Sequence, residues 1–169
     1  MPERVCLVYI SAGSNLGDRR AHLEQGLRAL GDSGVVPTRI SSVFETEPVD
    51  AGSQPWFLNI ALEAKTQLSP GTLLERCLAI ELEEGRSRPY PNAPRTLDLD
   101  ILLYGDRIIH TPRLTIPHPR MVTRRFVLEP LAEIAPDLCH PVLKKTIRAL
   151  LAACPDSSAV RLYSPGEPR

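Results

Sequence analysis

The chain has 169 residues, 43% hydrophobic and 24% charged, and its 20 basic side chains balance 20 acidic ones. That length suits one domain with its own core, and the zero net charge argues against nucleic acid as a partner, since gripping its backbone calls for a basic excess. Cys6, Cys77, Cys139 and Cys154 form no C-x-x-C pair, so reduced thiols in a cytoplasmic protein are expected rather than a zinc site. No membrane partner is expected either, because no apolar run reaches spanning length, and residues 1–10 do not read as a signal peptide.

Val5 to Ser11 is apolar and β-branched and predicts a buried first strand. Ala12 to Asp18 reads as a turn, in which glycine could let backbone approach a ligand. The turn has neither G-x-G-x-x-G nor a Walker lysine. Leu23, Leu27 and Leu30 recur at helical spacing, and Gly31 to Gly34 ends that helix. Val35 to Phe44 predicts a second strand, with Ile40 and Val43 toward the core. Glu45 to Pro55 is a long polar loop, a kind that often carries function. Trp56 to Ala64 returns as a strand antiparallel to 35–44, with Phe57 and Asn59 on one face and Leu58 and Ile60 on the other.

Ser69 and Pro70 open a second helix as N-cap and first residue. Leu73, Leu74, Cys77, Ile80 and Leu82 form its apolar stripe, and Glu75, Glu81, Glu83 and Glu84 its solvated face. Gly85 ends it. Arg86 to Pro94 is a second irregular loop, with three prolines and two arginines. Short strands are expected at 107–110 and 114–116, then a short helix through Phe126, a last helix at Ile147 to Leu151 and a final strand at Val160 to Tyr163. Strands and helices mix without a βαβα rhythm, which points to an α+β fold. One catalytic domain over 1–163 is expected, with a disordered tail at 164–169.

The chemistry concentrates in Ala93 to Gly105. Alternation along a strand places Asp98 and Asp100 on one face, with Leu97, Leu99, Ile101 and Leu103 on the other. Paired carboxylates suit a hard divalent cation shared with substrate phosphates. Arg95 adds a guanidinium fork that matches phosphate oxygens. An isolated D-x-D is commonly only an edge strand with solvated acids. Here it has company.

The whole of Ala93 to Gly105 resembles the signature of the 6-hydroxymethyl-dihydropterin pyrophosphokinases of folate biosynthesis. The likeness continues through Gly13-Ser14-Asn15-Leu16, Ser42 to Val49, Phe57-Leu58-Asn59, Glu81-Leu82-Glu83 with Gly85-Arg86, Leu114 to Met121, and Arg124 to Leu131. It implies a ferredoxin-like αβα sandwich with a mainly antiparallel sheet and two long active-site loops, working as a monomer. It implies transfer of pyrophosphate from ATP to 6-hydroxymethyl-7,8-dihydropterin, with release of AMP. Asp98 and Asp100 would hold two Mg²⁺ ions. Arg86, Arg95, His118 and Arg124 would contact the phosphates. Leu74, Ile101, Arg113 and Thr115 would line the adenine and ribose end. Phe57 and Phe126 would stack on the pterin, while Thr46, Pro48, Val49 and Asn59 read its edge and Asp98 borders it. The chain departs from common family residues at Asp50, Asn92, Val122 and Thr123. Two other readings stay open: a metal-dependent nucleotidyltransferase, and a non-catalytic ferredoxin-like RNA-binding module, the latter disfavoured by 5% aromatic content and zero net charge.

Overall fold

The computed structural model describes residues 4–48, 54–85 and 96–165. Its centre is β1 (Cys6–Ser14), flanked by β4 (Phe57–Thr66) on one side and β5 (Asp98–Tyr104) on the other, both antiparallel. The far side of β4 carries β2 (Val35–Ile40) along its second half and β3 (Phe44–Thr46) along its first. A short C-terminal strand, β8 (Val160–Leu162), closes the edge beyond β3. A two-stranded ribbon, β6 (Ile109–His110) with β7 (Thr115–Ile116), lies off the main sheet. The order β5-β1-β4-β3-β8 has antiparallel pairing throughout. It is the α+β, ferredoxin-like arrangement the motifs implied.

Helices cover both faces. α1 (Arg19–Asp32) and α2 (Pro70–Glu83) press Leu23, Leu30, Leu73, Cys77 and Ile80 against Val8, Ile10, Ile60 and Leu99. α3 (Arg125–Ile134) and α4 (Ile147–Ala152) press Leu128, Leu131 and Ile147 against Tyr9, Ala61 and Leu102. The predicted cap holds: Ser69 accepts the Thr72 N–H at the start of α2. The structure adds a second, in which Asp18 accepts the Ala21 N–H at the start of α1. All four cysteines are free thiols. Among the described residues, no helix is long and apolar enough to cross a membrane.

Leu97 joins the first core to the acidic strand. It is fully buried, and α1 comes close enough to it that a Cβ on Gly26 would lie 2.9 Å from Leu97 Cδ2. Leu97→Ala is expected to cost about 3 kcal/mol, as for other fully buried leucines. Urea unfolding checks this; a loss below about 1 kcal/mol would show that the site collapses around the smaller side chain.

Several local expectations give way to packing. β1 does not turn at Ala12 but continues to Ser14, because both neighbouring strands pair with it through Gly13. The 35–44 strand is interrupted, with irregular register at Pro37–Arg39. The Ser41 hydroxyl accepts the Ala61 N–H, and the chain rejoins β4 at Phe44. Ile40 is therefore exposed, at 48%. Glu45 and Thr46, expected in a loop, are buried strand residues. Leu103 crosses to the α3 side, because the pairing of Tyr9 with Leu103 and Ile10 with Ile101 skips Leu102. One extra residue reverses the alternation beyond it. On α2, Glu81 is buried and Leu82 is 69% exposed. Glu81 lies one turn beyond Cys77, on the buried stripe.

Candidate active site

The site forms on the α3 side of the sheet. Register puts its parts together. Gly13 pairs with Asn59 on β4 and with Asp98 on β5, so all three share one face. Ser11, two residues back, pairs with Ala61 and Asp100 on the same face. Strand spacing then sets Asn59 and Asp98 about 10 Å apart, with Gly13 between them as a floor that carries no side chain.

Asn59 is held in one orientation. Its amide nitrogen donates to the Thr46 hydroxyl at 2.5 Å, and both residues are buried. Its Oδ1 lies over Gly13, where an added Cβ would collide with it. Phe57 stands half-buried two residues before Asn59. A buried amide so fixed presents its remaining donor and acceptor capacity to a flat polar ligand.

Asp98 and Asp100 are both partly exposed on β5, facing away from Leu97, Leu99 and Ile101 as the alternation predicted. Among the described residues, no cluster of three or more His, Cys, Asp or Glu could cage a metal ion. Two carboxylates on a rigid strand do fit a hard cation that completes its shell with phosphate oxygens and water.

His118 follows β7 and is tied to the sheet by its N–H, which donates to Leu102 O. Its Nδ1 accepts the Arg120 N–H, which assigns the ring proton to Nε2. Nε2 lies 4.0 Å from Asp100 Oδ1. Burial pushes the His118 pKa down to about 4, with Arg124 and Arg120 adding to the shift and Asp98 opposing it. The contact with Asp100 is therefore not an ion pair at neutral pH. The folded value lies below the ordinary 6.5, so the neutral ring favours the folded state. That contribution is complete above pH 6.5 and is lost as pH falls toward about 4. NMR of the magnesium-free protein should show the His118 ring titrating near 4; a midpoint near 6.5 would mean the ring is solvated.

Arg124 stands just before α3, its guanidinium 5.5 Å from the centre of the Phe126 ring. Phe126 lies in the first turn of α3 and packs, partly buried, against the core on the Tyr9 and Ala61 side of the sheet. On the outer side of β5, α2 and the β6–β7 ribbon enclose a cleft of about 300 Å³, lined by Pro70, Leu74, Glu75, Ile109, Arg113 and Leu114. Leu74 and Arg113 thus meet as expected, and Arg113 approaches Glu75 at 3.9 Å. Thr115 is the next residue along from Leu114, and Ile101 is core beneath. Pro48 is half-buried beyond β3. Arg86, Arg95 and Val49 lie outside the described residues, as do Asp50 and Asn92.

Residues 9–136 match the family model of 7,8-dihydro-6-hydroxymethylpterin-pyrophosphokinase. The chain belongs to that family. A 2-amino-4-hydroxy-6-hydroxymethyldihydropteridine pyrophosphokinase from Bacillus subtilis is 47% identical over 144 residues, which span 85% of this chain and 84% of that one. The pyrophosphokinase of the same name from Pseudomonas aeruginosa is 42% identical, over 92% of this chain and 96% of that one. Among solved structures, the fold matches Plasmodium falciparum HPPK-DHPS with pterin and p-hydroxybenzoate, at TM-score 0.70 and 17% identity. That match covers 90% of this chain and 42% of the other, and at such identity it speaks to fold alone. As a member of the pyrophosphokinase family, the chain is a pyrophosphoryl transferase of folate synthesis.

Sequence reasoning anticipated close backbone approach at the 12–18 glycines but set Gly13 in a turn, although its place at the end of an apolar run was a usable signal for a strand glycine. The buried Glu45 and its two arginine partners, Arg19 and Arg161, left no local signal at all.

Proposed function

We propose that the chain transfers pyrophosphate from ATP to the hydroxymethyl oxygen of 6-hydroxymethyl-7,8-dihydropterin. The new bond joins that oxygen to the β-phosphorus. The bond between the β-phosphorus and the bridging oxygen to the α-phosphate breaks, and AMP leaves. The observation that carries this reading is the row Asn59, Gly13, Asp98 across three strands. It sets an edge-reading amide and a metal-seeking carboxylate on either side of an open floor.

The pterin lies along that floor between the rings of Phe57 and Phe126, by stacking. Asn59, Thr46, Pro48 and Val49 read its polar edge, and its hydroxymethyl end points to Asp98. Adenine and ribose occupy the cleft of Leu74 and Arg113, with Thr115 and Ile101 beside it. The triphosphate runs past His118 and Arg124 toward the two acids, where Arg86 and Arg95 also grip it. Neutral His118 donates a hydrogen bond from Nε2 to a phosphate oxygen without adding charge. Asp98 and Asp100 hold two magnesium ions. Bound there, magnesium spreads positive charge over the phosphate oxygens and makes the nearby alcohol easier to deprotonate. Residues 1–163 act as one catalytic domain, and the protein works as a monomer.

The test is product identity. With ATP labelled in its terminal phosphates, label should move to the pterin while AMP appears, and chelation of magnesium should stop both. Release of free pyrophosphate, with the adenylyl group on the acceptor, would instead mark a nucleotidyltransferase.

A further inference from the structure

The family match ends at residue 136, yet the chain returns after it to the edge of the sheet as β8. Three ties hold it there. The Glu47 N–H donates to Ala159 O, the Tyr163 N–H donates to Val43 O, and Arg161 stands opposite Glu45 in the ladder. Glu45 is buried, with its side chain 3% exposed. Arg161 donates to its Oε1 through Nε at 3.2 Å and Nη2 at 3.0 Å. Arg19, at the start of α1, donates to its Oε2 at 3.0 Å. One buried carboxylate thus ties a helix start to the C-terminal strand.

Both arginines then reach the point where the loop after β3 re-enters the sheet. Arg19 donates to Trp56 O at 2.8 Å, and its guanidinium lies 5.7 Å from the centre of the Tyr163 ring, just after β8. Arg161 stacks over the Trp56 ring at 4.9 Å. Asn15 donates to Pro55 O and Gln54 Oε1. The residue after Trp56 is Phe57, and the residue after Glu45 is Thr46, partner of the Asn59 amide. Glu45 points away from the pterin face, since it pairs with Leu58 while Thr46 pairs with Phe57. None of these arginines therefore needs to touch a ligand in order to set the residues that do.

We propose that Arg161 is a positioning residue for the pterin subsite, and that β8 clamps Thr46 and Phe57 in place through Glu45 and Trp56. This rests on the pterin reading above. Arg161 itself is more than half exposed at its side chain (58%), and Glu45 keeps Arg19 when Arg161 is removed. The main consequence of its loss is therefore a looser β3–Trp56 junction rather than a bare buried charge. The nucleotide cleft lies across the sheet, beyond β1 and β5, and shares no residue with this junction.

The experiment is calorimetric titration of the full chain, separately with 6-hydroxymethylpterin and with α,β-methylene-ATP plus magnesium. Wild type is compared with Arg161→Ala and Arg161→Lys. Arg161→Ala is expected to weaken pterin binding about tenfold, with nucleotide affinity changed less than about twofold. At saturating pterin, turnover should stay near wild type, because the clamp acts on binding geometry. Trp56 is the single tryptophan, so its emission should shift to longer wavelength in Arg161→Ala, as a ring uncovered to water does. Arg161→Lys keeps a cation for Glu45 but loses the flat guanidinium over the indole. It should also weaken pterin alone, and it carries the comparison if the alanine variant does not fold. Unchanged pterin affinity in both variants, or equal loss of pterin and nucleotide, overturns the clamp while leaving the functional reading intact. A wild type that binds no pterin overturns both.

Discussion

Asp98→Asn is expected to lower turnover about 10³-fold while the protein melts within a few degrees of wild type. The exchange keeps the side chain's volume and the pairing with Gly13. In the role proposed for Asp98, it removes one of two negative charges and replaces a strong oxygen ligand by a weak amide. The fold loses little, because Asp98 is only partly buried. Apo stability should therefore stay close to wild type, and the magnesium concentration for half-maximal rate should rise. Initial rates of AMP release across a magnesium series, together with a melting curve, check this. A variant that turns over like wild type would remove Asp98 from the proposed metal site.

Gly13→Ala is the second large effect. The backbone there is ordinary strand; among the described residues the glycines with positive φ are Gly17, Gly34, Gly85 and Gly105, so alanine meets no conformational strain. The obstacle is Asn59 Oδ1, which the new methyl would overlap, with the Phe57 ring next at 3.5 Å. A side-chain amide yields more easily than backbone, so the sheet survives and Asn59 turns aside. Turning breaks its bond to Thr46 between two buried residues, a loss of about 1–3 kcal/mol when a polar atom is left unpaired. Pterin affinity should fall roughly 10- to 100-fold, by the same interval expressed as a binding constant. Nucleotide affinity should stay within about twofold, since the cleft proposed for it lies on the other side of β5. Titrations with each ligand decide it. Loss of both together would mean that the whole strand had shifted.

The two variants also mark where sequence reading was strong and where it was weak. Asp98 and Asp100 were readable because a strand turns its residues by a fixed alternation, and β5 keeps that alternation from Asp98 to Ile101. The Ser69 cap, the stripe of α2 through Leu73, Cys77 and Ile80, and the antiparallel return of 57–65 on 35–44 were readable for the same reason. Each is a relation between neighbours, or between segments joined by one connection.

Where that reasoning failed, a distant partner had intervened. The skipped Leu102 exists because β5 must register with β1, and it moves Leu103 into the second core. Glu45 looks like a loop acid until Arg161, 116 residues away, lies opposite it. Gly13 looks like a turn until two strands close on either side of it. Local periodicity depends on the chain's own stereochemistry, so residue order alone determines which face a side chain takes. Which faces come together, and which polar group is buried among them, depends on pairings that exist only once the sheet has assembled.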